Sequence, residues 1–259
     1  MKRIRFYKMQ ASGNDFILID SRSKTQDSRL DYKRFAKKYC PRKTGVGADG
    51  LLVIQPSTKA EFRMRIINAD GSEAEMCGNG ARCVGLWAKR YGGFSSRKRI
   101  TFDTLAGIID AAVSAGGQVK VKTTDPSTPK LGVPLSVFGR RMHVNYIDSG
   151  VPHVVVPVQG LQEIHVAAIG RAIRFHKKFA PRGANVDFVE ITGDNAVAVR
   201  TYERGVEGET LACGTGAIAS AIIAGFQLYK NEPRRCKIQV ATRGGERLTV
   251  SFRREGMKL

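Results

Sequence analysis

Short, fully apolar runs separated by turn-forming residues dominate the first third of the chain. Phe16–Ile19 and Leu51–Ile54 are each four bulky apolar residues in succession, the pattern of strands covered on both faces. Residues 62–67 alternate, Arg63 and Arg65 against Met64 and Ile66, and read as a strand with one wetter face. Asp31–Tyr39 predicts a basic amphipathic helix, and Gly80–Arg90 a second, built on Ala81, Val84, Gly85 and Ala88. Further strands are predicted at Ile100–Thr104, Gly107–Val113 and Val119–Thr123.

Thr124–Lys130 carries Asp, Ser and two prolines and reads as a boundary, dividing the chain into domains 1–123 and 124–259. Beyond it the rhythm restarts. Strands are predicted at Val154–Val156, Val186–Ile191, Ala196–Tyr202, Lys237–Ala241 and Arg247–Phe252, with a helix over Glu163–Arg174 and another from Gly216. Thr210–Tyr229 holds no charged residue and is long enough to span a bilayer, but it is rich in Ala, Gly and Ser. A segment apolar on every face is expected inside a protein core.

The restart is a repeat. Met76-Cys77-Gly78-Asn79-Gly80-Ala81 in the first half matches Ala212-Cys213-Gly214-Thr215-Gly216-Ala217 in the second. Both follow an acidic, Gly-containing turn after a strand, and both open a helix of small residues. Asn14-Asp15-Phe16 and Asn185-Val186-Asp187-Phe188 look like a weaker echo. The simplest fold is α/β, with two pseudo-symmetric domains, each a mixed β-sheet wrapped around a central small-residue helix, and an active site in the cleft between them.

A helix beginning just after Cys-Gly-x-Gly has unpaired N–H groups and the positive end of its dipole at its first turn. There a thiol is expected to ionise more readily, while the glycines let a carboxylate reach the backbone. Two such thiols on opposite sides of a cleft could move a proton from one face of an amino acid α-carbon to the other. A lone cysteine before glycine is ordinarily a small buried hydrophobe. Duplication in matching contexts argues otherwise for Cys77 and Cys213, whereas Cys40, Cys83 and Cys236 lack such surroundings and are expected to pack.

The composition narrows the alternatives. With 42% hydrophobic and 25% charged residues among 259, disorder is excluded. The five cysteines include no C-x-x-C pair, which argues against a disulfide framework or closed zinc site and for a reducing cytoplasm. Charge interrupts every apolar run in residues 1–8, so no signal-peptide core is expected there. The four histidines do not cluster with metal spacing, and no metal is expected. Gly45-Val46-Gly47-Ala48-Asp49-Gly50 fits G-x-G-x-x-G, but a strand-like run follows where a dinucleotide site needs a helix. The net charge of +20 keeps a nucleic-acid-binding protein as the alternative from another class. Lys and Arg are nevertheless spread through both halves, as on an ordinary solvated surface.

These residues resemble the diaminopimelate epimerase family of cofactor-independent amino acid racemases. The resemblance rests on Met9–Phe16, Gly45–Gly50, Asn68–Glu73 through Cys83, Pro152-His153, Asn185 with its flanks, and Tyr202–Gly205 through Gly216. It implies Cys77 and Cys213 as the acid–base pair, with His153 and Glu203 helping to set their protonation. It further implies that Asn14, Asn68, Asn185, Glu203 and Arg204 bind substrate, and that the backbone at Gly78-Asn79 and Gly214-Thr215 grips the reacting carboxylate. Conversion of LL-diaminopimelate to the meso form without pyridoxal phosphate or metal, by a cytoplasmic protein, often a homodimer, is the implied activity; another amino acid is the alternative substrate. The chain departs from the family at Val151, where many members carry an asparagine contacting the distal end of the substrate, and at Gly50, where some carry glutamine. It ends at Leu259, where relatives usually continue into a last strand.

Overall fold

The computed structural model describes residues 3–22, 30–229 and 234–254, and the chain divides into two compact units, Met1–Thr123 and Thr124–Leu259. The chain end at Leu259 lies outside the described residues.

Unit 1 comprises β1 (Tyr7–Ala11), β2 (Asn14–Asp20), α1 (Tyr32–Tyr39), β3 (Gly50–Gln55), β4 (Phe62–Asn68), β5 (Glu73–Ala74), α2 (Gly78–Arg90), β6 (Arg99–Thr104), β7 (Gly107–Val113) and β8 (Val119–Lys122). Its sheet runs β1-β2-β3-β4-β6-β7-β8, with β5 paired to β4. The apolar runs are explained by cover on both faces. Phe16, Leu18, Leu52 and Ile54 pack in the core around Trp87 of α2, while Ile17, Ile19, Leu51 and Val53 pack in a second core with Ala36 of α1. Asp31 caps α1, its carboxylate accepting from the N–H groups of Lys33 and Arg34 at 3.1 Å. Small residues let α2 lie close to the sheet: a Cβ on Gly85 would stand 3.0 Å from Val119 Cγ1.

Unit 2 comprises β9 (Lys130–Val137), β10 (Arg140–Asp148), β11 (Pro152–Pro157), α3 (Val166–Arg174), β12 (Asn185–Gly193), β13 (Ala196–Glu203), β14 (Gly208–Thr210), α4 (Gly214–Leu228), β15 (Arg234–Thr242) and β16 (Arg247–Arg254). Its sheet runs β9-β10-β11-β12-β13-β15-β16, with β14 paired to β13. The uncharged helix α4 is buried along most of its length, and no helix of the described residues is long and apolar enough to cross a membrane. The helix expected over Glu163–Arg174 begins only at Val166; Leu161–Glu163 form a single 3-10 turn, and Ile164 is extended at φ −71° and ψ 126°.

The two units repeat one fold, as the duplicated hexapeptide predicts. From β1, the unit 1 strands pair antiparallel, parallel, antiparallel, parallel and antiparallel; the same sequence of directions runs from β10 in unit 2. Thus β1–β7 correspond to β10–β16 in order, α1 to α3 and α2 to α4, with β8 and β9 as additional edge strands. The register is shared: Ile66 pairs with Ala74 three residues before Cys77, and Thr201 pairs with Thr210 three residues before Cys213. Asn68 therefore corresponds to Glu203, Gly50 to Asn185 and Phe16 to His153. This corrects the echo between Asn14 and Asn185, which lie on non-equivalent strands, β2 and β12; the shared Asn and Phe are local coincidence.

An ion pair is duplicated with the fold. Arg65 Nε and Nη2 each meet Glu73 at 2.8 Å, and at the equivalent positions Arg200 Nε and Nη2 meet Glu209 at 2.7 and 2.8 Å. Each fork clamps the hairpin leading into a central helix. The guanidinium hydrogen bonds hold both glutamates below the usual carboxylate range, and Arg42 does the same for Asp15. Because these groups titrate lower folded than unfolded, their stabilisation is complete above about pH 5 and fades as pH falls through the folded values. Urea melts should show stability falling below about pH 4.5, with a shallower fall in an Arg65→Met, Arg200→Met variant.

Candidate active site

In unit 1 the hairpin turn Ser12-Gly13, with φ of 52° and 81°, returns the chain from β1 into β2 and brings Asn14 to the strand's start. Cys77 is the N-cap of α2, and its Sγ accepts the N–H of Gly80 at 3.4 Å. Asn79 is buried; its amide donates to Asn14 Oδ1, and its carbonyl accepts from Arg82 Nη2 at 2.7 Å. Arg82 also reaches Ser12 Oγ, and Asn14 Nδ2 donates to Asp49 Oδ2 at 3.2 Å. Next to the cysteine, Gly78 is open: a Cβ there would meet nothing within 4 Å. The first turn of α2 can therefore receive an approaching carboxylate.

In unit 2 Cys213 is the N-cap of α4, with Sγ 3.4 Å from Thr215 Oγ1. Thr215 Oγ1 lies 2.9 Å from His153 Nε2, and His153 Nδ1 lies 2.7 Å from Asp187 Oδ2. Asp187 Oδ1 in turn accepts from Thr201 Oγ1 at 2.7 Å. His153 and Asp187 are both 0% exposed. Asn185 binds on three sides: Nδ2 reaches Pro152 O at 3.3 Å and His153 Nε2 at 3.4 Å, and Oδ1 accepts from Arg204 N at 2.8 Å.

The expectation that both thiols ionise readily needs correction at Cys213. Loss of water around Sγ pushes this thiol well above its ordinary value, and the carboxylates of Glu203 and Asp187 push it further; hydrogen bonds from Thr215 and the Gly216 N–H offset only part of this. Desolvation and negative neighbours outweigh the helix start. Burial likewise raises Glu203, with His153 pulling the other way.

A family model described as diaminopimelate epimerase matches residues 6–129 and 145–258. The chain belongs to the diaminopimelate epimerase family. A diaminopimelate epimerase of Aquifex aeolicus is 46% identical over 258 residues, covering 96% of this chain and 90% of the relative. One from Archaeoglobus fulgidus is 41% identical, covering 94% and 88%. Solved structures show the same fold at low identity. A Bacillus anthracis phenazine biosynthesis protein of the PhzF family has TM-score 0.71 at 20% identity, covering 97% of this chain and 90% of that one. A hydroxyproline epimerase from Agrobacterium vitis has TM-score 0.66 at 15%, covering 96% and 82%.

Unit 1 of this family member joins Asn14 to Asn79 beside Cys77, with Gly78 open, while Asn68 ends β4 with its amide on Ser72 Oγ at 2.9 Å. Unit 2 joins Cys213, Thr215, His153 and Asn185, and Arg204 enters through its backbone N–H. Gly214 opens α4 next to Cys213. At Gly50, where some members carry glutamine, a Cβ would stand 2.9 Å from Ile67 O. Cys40, Cys83 and Cys236 are buried, as expected of packing residues. Sequence reasoning missed Asp187 and Thr201. Asp187 had a signal of its own, a carboxylate inside the apolar run Val186–Val189.

Proposed function

We propose that the protein inverts an amino acid α-carbon by moving a proton between two thiols, converting LL-diaminopimelate to meso-diaminopimelate. The observation that carries this reading is the duplicated N-cap cysteine, at equivalent positions of two units that share one fold and register. Membership of the epimerase family, and the names of relatives covered nearly end to end, supply the substrate.

Cys77 Sγ, already accepting a helix-start N–H, is the base that removes the α-proton, and Cys213, holding its proton, is the acid that donates on the opposite face. The roles exchange in the reverse direction. The first-turn N–H groups at Gly78-Asn79 and Gly214-Thr215 hold the carboxylate as negative charge develops on the α-carbon. Asn14, Asn68, Asn185, Glu203 and Arg204 orient the rest of the substrate. This chemistry calls for no pyridoxal phosphate or metal. The family resemblance adds a cytoplasmic homodimer.

Incubation with LL-diaminopimelate in D₂O under reducing conditions should place one deuterium on an α-carbon as the meso isomer accumulates, read by mass spectrometry and NMR. Exchange confined to another amino acid, the reading favoured by Val151, would move the substrate and keep the reaction. Absence of exchange from every amino acid tried would remove the enzyme reading, and salt-sensitive DNA or RNA retention would then favour a nucleic-acid protein.

A further inference from the structure

The geometry points to Asp187 as a positioning residue that holds His153 as the proton partner of Cys213 through the Thr215 hydroxyl, a device built into unit 2 alone. The inference rests on the proposed thiol chemistry and deepens it.

The chain Thr201–Asp187–His153–Thr215–Cys213 is continuous, each contact between 2.7 and 3.4 Å. With the Asp187 carboxylate facing Nδ1, the imidazole carries its proton there and offers a lone pair at Nε2. Nε2 then accepts the Thr215 hydroxyl proton, and Thr215 Oγ1 is left to accept from the Cys213 thiol. When Cys213 becomes a base, its proton passes to Thr215 Oγ1 while the threonine's own proton passes to Nε2. A thiolate and an imidazolium form, the threonine is unchanged, and Asp187 faces the new positive charge. The reverse transfer restores the thiol.

The shared register shows that the fold does not require this chain. At the positions equivalent to His153, Asp187 and Thr201, unit 1 carries Phe16, Leu52 and Ile66, all buried. Where Gly80 packs against Leu52 Cδ2, Gly216 packs against Asp187 Oδ1. A sheet and helix of this design are thus stable with an entirely apolar interior at these sites. Burying a carboxylate and an imidazole that packing does not demand costs stability, which marks them as serving chemistry.

Asp187→Asn is the test. The ionisable groups that face Cys213 among the described residues are His153 from β11, Asp187 from β12 and Glu203 from β13. If Asp187 only repelled the Cys213 thiolate, removing its charge would make Cys213 react faster with iodoacetamide. If it holds His153 as proton acceptor, the reaction slows, by about tenfold, with Cys77 unaffected. Site-resolved labelling by peptide mass spectrometry reads the sign. In turnover, kcat should fall about 100-fold with KM within about threefold. Faster or unchanged Cys213 labelling, or kcat within about threefold of wild type, would overturn the assignment. Should Asp187→Asn fail to fold, the Asp187→Leu, Thr201→Ile variant, which copies unit 1, takes its place with the same expected losses. Labelling needs no substrate, so a wild-type protein inert toward diaminopimelate removes the proposed function without touching this result.

Discussion

Serine at either Cys77 or Cys213 should lower kcat by about 1,000-fold while leaving the protein folded. Both sulfurs occupy N-cap positions with extended backbone, φ −142° at Cys77 and −118° at Cys213, where serine is a preferred cap. The helices should start as before, and melting should shift by no more than about 1 kcal/mol. What serine lacks is acidity: its hydroxyl neither releases a proton to an α-carbanion readily nor survives as an anion able to take one. KM should change little, because the carboxylate cradle is backbone. Deuterium incorporation at the α-carbon, followed by NMR for each variant, measures the loss. Wild-type turnover by either variant would mean that the sulfur is not an acid–base group.

Gly216→Ala should destabilise unit 2 although it adds only one methyl. The added Cβ would stand 2.4 Å from Asp187 Oδ1 and 3.2 Å from its Cγ. The carboxylate cannot swing aside, since His153 and Thr201 both hold it. Alanine normally favours a helix over glycine by about 1 kcal/mol; here overpacking should reverse the sign and destabilise by about 3 kcal/mol. Gly78→Ala is the contrast, with empty space around its Cβ. It should melt within about 0.5 kcal/mol of wild type, yet raise KM by narrowing the approach to the α2 start. Urea melts and steady-state kinetics on the two variants separate packing from access. Wild-type melting of Gly216→Ala would show that Asp187 is free to move.

The architecture was legible wherever burial was uniform. Phe16–Ile19 and Leu51–Ile54 are apolar because both faces are covered, and α2 and α4 announce themselves by small residues that a close-packed helix requires. The edges were harder. β9 and β10 carry Lys130, Gly132, Pro134, Arg140 and Arg141 and are largely exposed on β9, so no alternation marked them; proline is tolerated because β9 has a free side. β5 and β14 span two and three residues, too few to show an alternation; they pair with β4 and β13, and Arg65 and Arg200 clamp them from across the hairpin. Within the candidate site, Cys-Gly-x-Gly located both helix starts, but the ionisation of Cys213 could not follow from a local motif. It depends on Glu203 and Asp187, which arrive from other strands.

The one-sided arrangement around Cys213 has a consequence for how often the enzyme can work. On the proposed chemistry, each catalytic event leaves the pair in swapped ionisation, a form fit only to undo what it has just done. Repeated cycles in one direction therefore need a reset of the empty enzyme. At Cys213 the Thr215 hydroxyl and His153 Nε2 lie in line to return the lost proton once the imidazole has taken one up from water, so the rate of that step is set inside unit 2 and not by the substrate.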